Sequence, residues 1–455
     1  MTANPRRWWA LAVLATAQFM VIMDTSIIGV ALPDMQRDLG FTQEGLQWVF
    51  NAYVIAFGGL LLLGGRLADL FGARKIFSAG WVVLIAGSVV AAAATTAWVE
   101  VAGRAVQGVG GALIAPAAMT LLMMLFGHNQ RELGKAMALY GAAAPAGGTA
   151  GVFLGGVIAE YLTWPWVFII YVPIGVVTLL AVPALLPATK GGRGSVDVLG
   201  GIAATAGITL LVYAIVSENW LIALGGGALL ALFLIIQRTV RSPLMPLSIW
   251  RTPGLAAANV AMTLLGAAWI PMWYFLNLYL QQVLGYGAFA SGSALLPMTI
   301  AIMIFMVGIT ARLLGRFGAK PLIVLGLGVL AAGVAGLAFA RPDGSFLTDV
   351  LPASLVAAVG MSLAYIPAMM SAMSGARPEE AGLASGIVNT TYNVGSALGL
   401  AVMTAIATSQ GAAELGDLGR LTDGFQAAFV GAAVVAAAGA VLSLAFMRGK
   451  NTLPR

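Results

Sequence analysis

Asp24 interrupts the apolar stretch QFMVIMDTSIIGVALP, residues 18–33, and Arg104 opens RAVQGVGGALIAPA inside another. A charge at the centre of a bilayer costs about 2.5–3.5 kcal/mol on insertion scales, so such residues face a partner, a cavity or an ion pathway. Asp24 lies roughly 13 Å inward from Pro33 along a helix, and Arg104 lies roughly 9 Å from the outer end of its own run. Comparable depth from the same side lets the two meet. Low dielectric favours the protonated acid, and a neighbouring guanidinium favours the carboxylate. A carboxylate held between those effects can take a proton from outside, lose it inside, and so drive a substrate outward. A purely structural Asp–Arg pair between helices is the competing reading. The remaining sixteen of the 17 Asp and Glu residues fall in loops or close to the ends of apolar runs.

No other deep acid balances a second positive charge, so the expected substrates are neutral, zwitterionic or monocationic lipophilic compounds. Candidates to line a substrate cavity are Asn51, Tyr53, Gln107, Tyr140, Trp273, Tyr274, Asn277, Tyr365, Asn389 and Asn393. Aromatic faces attract apolar groups and cations, and amides offer adaptable hydrogen bonds. Packing or interfacial anchoring accounts for the same residue types. Enzyme chemistry is poorly provided for. The chain has no cysteine and one histidine, His128, in an expected loop. It has no HExxH pair and no Gly-rich phosphate loop beside a lysine, so neither a metal nor a cofactor is expected.

Membrane helices must carry these residues. Of 455 residues, 60% are hydrophobic and 9% charged, against about 25% charged in a soluble domain. Apolar runs of about 20 residues alternate with short charged loops, and the short alternating segments of a β-barrel are absent. The start, MTANPRRWWALAVLATAQ, places two arginines before an apolar run. That run exceeds the roughly 7–15 residues of a signal peptide and reads as an uncleaved first span. Fourteen spans are expected, near 8–33, 45–64, 76–96, 98–124, 136–159, 165–187, 196–216, 220–237, 254–280, 288–311, 320–340, 348–372, 381–408 and 424–447. With the N-terminus inside, three of the 23 Lys and Arg residues fall outside: Arg37, Arg341 and Arg420. Arg104 lies within a span, and the other nineteen fall inside. This is the positive-inside asymmetry, and dropping one span would destroy it. Both termini are therefore expected in the cytoplasm. The net charge of +6 comes from these inner loops rather than from a nucleic-acid site.

Two inner loops repeat. Arg66, Leu67, Phe71, Gly72 and Ala73 recur as Arg312, Leu313, Phe317, Gly318 and Ala319, an offset of 246 residues. The first loop joins spans 2 and 3, and the second joins spans 10 and 11. Two six-helix units in the same orientation, with two spans inserted between them, give that placement. It is the parallel-repeat arrangement of a rocking transporter. The expected division is 1–190 for the N-terminal bundle, 191–245 for the two-helix insertion and 246–455 for the C-terminal bundle. The chain is expected to be an all-α polytopic membrane protein.

The loop GGRLADLFGARK resembles the signature of the major facilitator superfamily, with Gly65, Asp69, Gly72, Arg74 and Lys75 at its glycines, acid and basic pair. Arg104, Gln107, Gly108 and Gly110 match its fourth-helix motif. GAAAPAGGTAGVFLGG resembles the fifth-helix motif of drug antiporters through Gly151, Gly155 and Gly156, with Val152 where proline is usual. MDTSIIGVALP resembles the first helix of the fourteen-helix drug:proton antiporter branch through Asp24, Ala31, Leu32 and Pro33. LYLQQVLGYGAFASGSALLP and GLASGIVNTTYNVGSALG are similar to later segments of that branch, with Tyr392 and Asn393 in place of a frequent Arg-Gln pair.

The resemblance implies a bacterial cytoplasmic-membrane protein that exports drugs or antibiotic-like compounds in exchange for protons by alternating access. It implies a proton-coupling role for Asp24 and Arg104. It implies a conformational latch at Gly65, Asp69, Gly72 and Arg74, and a helix-packing hinge at Gly151, Gly155 and Gly156. The expected partners are a small lipophilic substrate, protons and lipid, and the expected state is a monomer. A nutrient or metabolite symporter competes, although it would call for more charged or polar groups in the C-terminal half. A membrane enzyme or envelope assembly protein is the competing reading from another class.

Overall fold

The computed structural model describes residues 6–127, 129–188, 197–374 and 381–447. His128, Lys190, Arg193, Arg377, Arg448, Lys450 and Arg455 lie outside the described residues. No strand occurs among the described residues. Thirteen helices there are long and apolar enough to cross a membrane. The expected tenth span, 288–311, is a shorter apolar helix, Ala288–Ile304, that continues through a π-helical turn, Phe305–Ile309, into a helix at Thr310–Phe317. The first expected span is also broken. Its helix stops at Ile27, and a 3-10 turn, Gly29–Ala31, leads into a short helix that carries Pro33 in its first turn. Proline is tolerated there because its missing N–H would have no partner in any case.

Chain contacts divide the protein into two compact units. The first comprises residues 1–40, 48–205 and 231–244, and the second comprises 41–47, 206–230 and 245–455. The first unit holds α1 (Arg7–Ile27), α2 (Leu32–Leu39), most of α3 (Gln43–Phe71), α4 (Ala73–Ala92), α5 (Ala97–Phe126), α6 (Gln130–Tyr161), α7 (Trp166–Ile169) and α8 (Tyr171–Leu185). The hairpin α9 (Val198–Val216) and α10 (Trp220–Thr239) contributes to both units. The second unit holds α11 (Leu255–Leu278), α12 (Ala288–Ile304), α13 (Thr310–Phe317), α14 (Ala319–Leu337), α15 (Leu351–Ser374), α16 (Ala381–Ala407) and α17 (Leu418–Phe446).

Lipid gives no hydrophobic drive for one apolar helix to seek another, so contact depends on backbones coming close, and small residues permit that. A Cβ at Gly80 would lie 2.9 Å from the Gly110 carbonyl oxygen, and one at Gly87 would lie 2.9 Å from that of Gly103. These glycines seat α4 on α5. In the second unit Gly326 meets the Gly360 carbonyl at 2.8 Å and Gly333 meets that of Ala353 at 2.9 Å, seating α14 on α15. The loop offset of 246 residues also relates Gly80 to Gly326 and Gly87 to Gly333. It relates Gly72 to Gly318, whose φ values of 96° and 79° place both in the left-handed region that glycine adopts without strain. The repeat is therefore a repeat of turn geometry and helix packing as well as of letters.

The glycine-rich hairpin packs on itself. Gly207 and Gly226 face one another, each within 3.1 Å of the other's carbonyl oxygen if given a Cβ. At the other end of the hairpin, Gln237 Nε2 donates to Asp197 Oδ2 at 2.6 Å, and Asp197 Oδ1 accepts from the Gly200 N–H at 2.8 Å. Asp197 thus both caps α9 and ties it to α10.

Candidate functional site

The site is built where α1, α3, α5 and α8 supply side chains to one cluster in the first unit. Arg104 is fully buried on α5, and Asp24 is 1% exposed on α1. Arg104 Nη1 donates to Asp24 Oδ2 at 2.6 Å and to Gln107 Oε1 at 2.8 Å. Its Nε donates to the Val49 carbonyl of α3 at 2.8 Å. The guanidinium lies 4.6 Å from the ring centre of Tyr53 and 5.8 Å from that of Phe168. Gln107 Nε2 donates to Ser88 Oγ at 2.8 Å, which ties the cluster to α4. Tyr53 donates to the Val21 carbonyl at 3.3 Å, and Tyr171 on α8 lies against Asp24. A guanidinium presents its donors in a fixed plane, and here that plane is set by acceptors from two other helices and its own. The charge is compensated in place, as a charge in hydrocarbon must be.

Glycines of α6 hold α1 in register for this pair. A Cβ at Gly151 would lie 2.8 Å from the Met23 carbonyl, and one at Gly155 would lie 2.7 Å from that of Ile27. Gly156 is also buried. Arg7 at the start of α1 bridges Glu132 near the start of α6 at 2.6 Å. Asp24 falls between the two glycine contacts, so α6 fixes its height and rotation. Tyr140 on α6 donates to Gln18 on α1 at 3.0 Å along the same seam.

The other expected residues fall in separate places. Tyr53 and Gln107, expected in a substrate cavity, serve the ion-pair cluster. Asn51 is buried on α3. On α11, Trp273, Tyr274 and Asn277 are buried within the second unit. Asn277 donates to its own helix at the Trp273 carbonyl, 2.9 Å away. Its Oδ1 and the Tyr274 hydroxyl have no hydrogen-bond partner among the described residues. Tyr365 on α15 packs edge-on against Tyr392 on α16 with ring centres 5.5 Å apart. Asn393 donates to the Asn389 carbonyl at 2.8 Å. At the repeated loop, Gly72 turns the chain from α3 to α4, and Gly65 lies in the last two turns of α3. Arg74 Nη1 donates to the Leu186 carbonyl at 3.2 Å, and the cation acting on exposed Asp69 is Arg66.

One residue escaped the sequence reading. Glu100 sits three residues into α5, close to a helix end, yet it is fully buried. Its signal was its spacing: four residues before Arg104 puts it on the same helix face. Trp164 is also buried and donates to Asp38 at 2.8 Å.

The family profile described as the Major Facilitator Superfamily matches residues 14–400. The cephamycin export protein of Amycolatopsis lactamdurans is 38% identical over 447 residues, spanning 95% of this chain and 91% of that protein. The puromycin resistance protein of Streptomyces alboniger is 38% identical over 434 residues, spanning 91% of this chain and 85% of that protein. A solved structure from work on proton-dependent oligopeptide transporters superposes with a TM-score of 0.70 at 17% identity, over 96% of this chain and 98% of that one. That likeness is one of fold.

Proposed function

The chain belongs to the Major Facilitator Superfamily of multi-pass membrane transporters, and on that footing we propose that it exports antibiotic-like small molecules in exchange for protons. The observation that carries the proposal is the buried pair of Asp24 and Arg104, 2.6 Å apart within the first unit. Protonating Asp24 removes the counter-charge of a fully buried guanidinium. That state favours rearrangement of the helices around it, and release of the proton on the other side restores the pair. The names of the relatives support the direction, outward, and the substrate class, antibiotics.

In this reading the chain lies in a bacterial cytoplasmic membrane as a monomer with both termini inside. It makes fourteen crossings, the tenth by the run from α12 to α13. Alternating access proceeds by rocking of the repeated bundles, with Gly65, Asp69, Gly72 and Arg74 as latch and Gly151, Gly155 and Gly156 as hinge. Tyr140, Trp273, Tyr274, Asn277, Tyr365, Asn389 and Asn393 contact substrate.

Purified protein in liposomes tests the proposal, with puromycin and a cephamycin as the first substrates. An imposed proton gradient drives accumulation by wild type. The Asp24→Asn protein loses that response but keeps exchange of labelled for unlabelled substrate. Gradient-driven transport by D24N at the wild-type rate would overturn the coupling role.

A further inference from the structure

Three carboxylates are buried among the described residues: Asp24, Glu100 and Asp197. Asp24 has Arg104, and Asp197 has Gln237 and the Gly200 N–H. Neither oxygen of Glu100 has a hydrogen-bond partner among the described residues. Arg104, one turn further along the same face of α5, is fully buried too, and its Nη2 also lacks an acceptor there. Residues four apart on a helix have Cβ atoms about 5–6 Å apart. One helix face therefore holds an unused donor beside an unused acceptor, both sealed from water.

Charge counting restricts the states of this cluster. Two ionised carboxyl groups around one guanidinium would leave a net negative charge in a buried site, and burial penalises that. One proton shared between them makes the cluster neutral. The charged groups acting on Glu100 are Arg104 on its own helix and Asp24 on α1. Helix α4, whose Ala91 touches Gly103 of α5, carries no ionisable residue from Ile76 to Ala92. Tyr53 of α3 and Tyr171 of α8 complete the titratable groups facing the cluster.

We propose that Glu100 is a second proton-carrying residue of the site, which alternates with Asp24 as the counter-ion of Arg104. In this scheme the paired arrangement has Asp24 ionised against Arg104 and the proton on Glu100. A proton leaves a Glu100 carboxyl oxygen and arrives at an Asp24 oxygen. The negative charge moves to Glu100, Arg104 turns its Nη2 to it, and the net charge of the three groups is unchanged. Asp24 then releases its proton on the other side as Glu100 takes one from the side where α5 begins, which restores the starting arrangement. The guanidinium is never left without a counter-charge, so the cost of breaking the Asp24 pair is largely removed. The inference rests on the proton-coupled reading above.

Infrared difference spectroscopy of the full-length protein in detergent, stepped through pH, tests it without any transport. Glu100 is the one glutamate buried among the described residues. Wild type is expected to show a protonated-carboxyl band typical of a dry site at neutral pH, moved by isotopic labelling of glutamate and absent from Glu100→Gln. Coupling through Arg104 predicts that Asp24→Asn shifts the titration of that band by at least about one pH unit. A wild-type spectrum with no glutamate-derived band of this kind would overturn the proposal, and so would a band that titrates alike in wild type and D24N. The labelled wild type needs no substitution, so a variant that fails to fold does not obscure the answer. A missing band removes Glu100 from the proton route and leaves the liposome result for Asp24 untouched. Gradient-driven transport by D24N at the wild-type rate removes the coupling role of Asp24 and leaves the band in place.

Discussion

At the scale of single residues, the pair of Asp24 and Arg104 is worth more intact than either member alone. Breaking a buried ion pair from one side leaves an uncompensated charge and costs about 3–5 kcal/mol. Arg104→Ala is therefore expected to lower the unfolding temperature in detergent strongly, and Asp24→Asn with Arg104→Met is expected to recover most of the loss. Thermal unfolding followed by light scattering reads both. An Arg104→Ala protein as stable as wild type would mean that water enters the site freely. Lysine is a poor substitute, because Arg104 places two nitrogens on Asp24, Gln107 and the Val49 carbonyl at once. Asp24 and Arg104 were legible in the sequence because a charge stands out against an apolar run. Glu100 was not, because it lies near the start of a helix, where carboxylates are usually wet or favoured by the helix dipole.

At the scale of elements, glycine positions decide which helices touch. Gly151 faces the backbone of α1, whereas Gly141 on the same helix has open space where its Cβ would be. Gly151→Val is expected to wedge α1 from α6, cost about 1–3 kcal/mol as overpacking does, and slow export by misplacing Asp24. Gly141→Ala is expected to be neutral or to stabilise by up to about 1 kcal/mol through helix propensity. Unfolding temperature and liposome flux, measured side by side, separate the two. Equal effects would mean that the α1–α6 seam is not a rigid contact. The glycine periodicity was visible in the sequence, but its partner was not. GAAAPAGGTAGVFLGG fits any neighbouring helix, and only packing selects α1. The same holds for α9 and α10, whose glycines turn out to face each other. The four π-helical segments among the described residues, beginning at Tyr279, Phe305, Phe346 and Thr408, all fall in the second unit. Hydropathy carries no sign of them, since one extra residue in a turn leaves an apolar run apolar.

At the scale of the whole molecule, the number of crossings is the feature that organises everything else. The chain has no native cysteine, so single introduced cysteines report sidedness without background. Gly287→Cys, between α11 and α12, is expected to react with a membrane-impermeant thiol reagent from outside intact cells. Arg316→Cys, in α13, is expected to react only after permeabilisation. Labelling of both from one side would show that the run from α12 to α13 does not cross. The sequence by itself determined the class of solvent, the all-helical architecture, the family, the repeated loop and the two charges at membrane depth. Each of these depends on local chemistry: hydropathy over one span, glycine at a turn, or a charge that lipid will not solvate. Tertiary structure alone decided that Arg104 binds Asp24, Gln107 and the Val49 carbonyl together, that Gly151 and Gly155 seat α6 on α1, and that Glu100 is sealed beside them. Those facts depend on the rotation and approach of helices far apart in the chain, and composition and periodicity are blind to both.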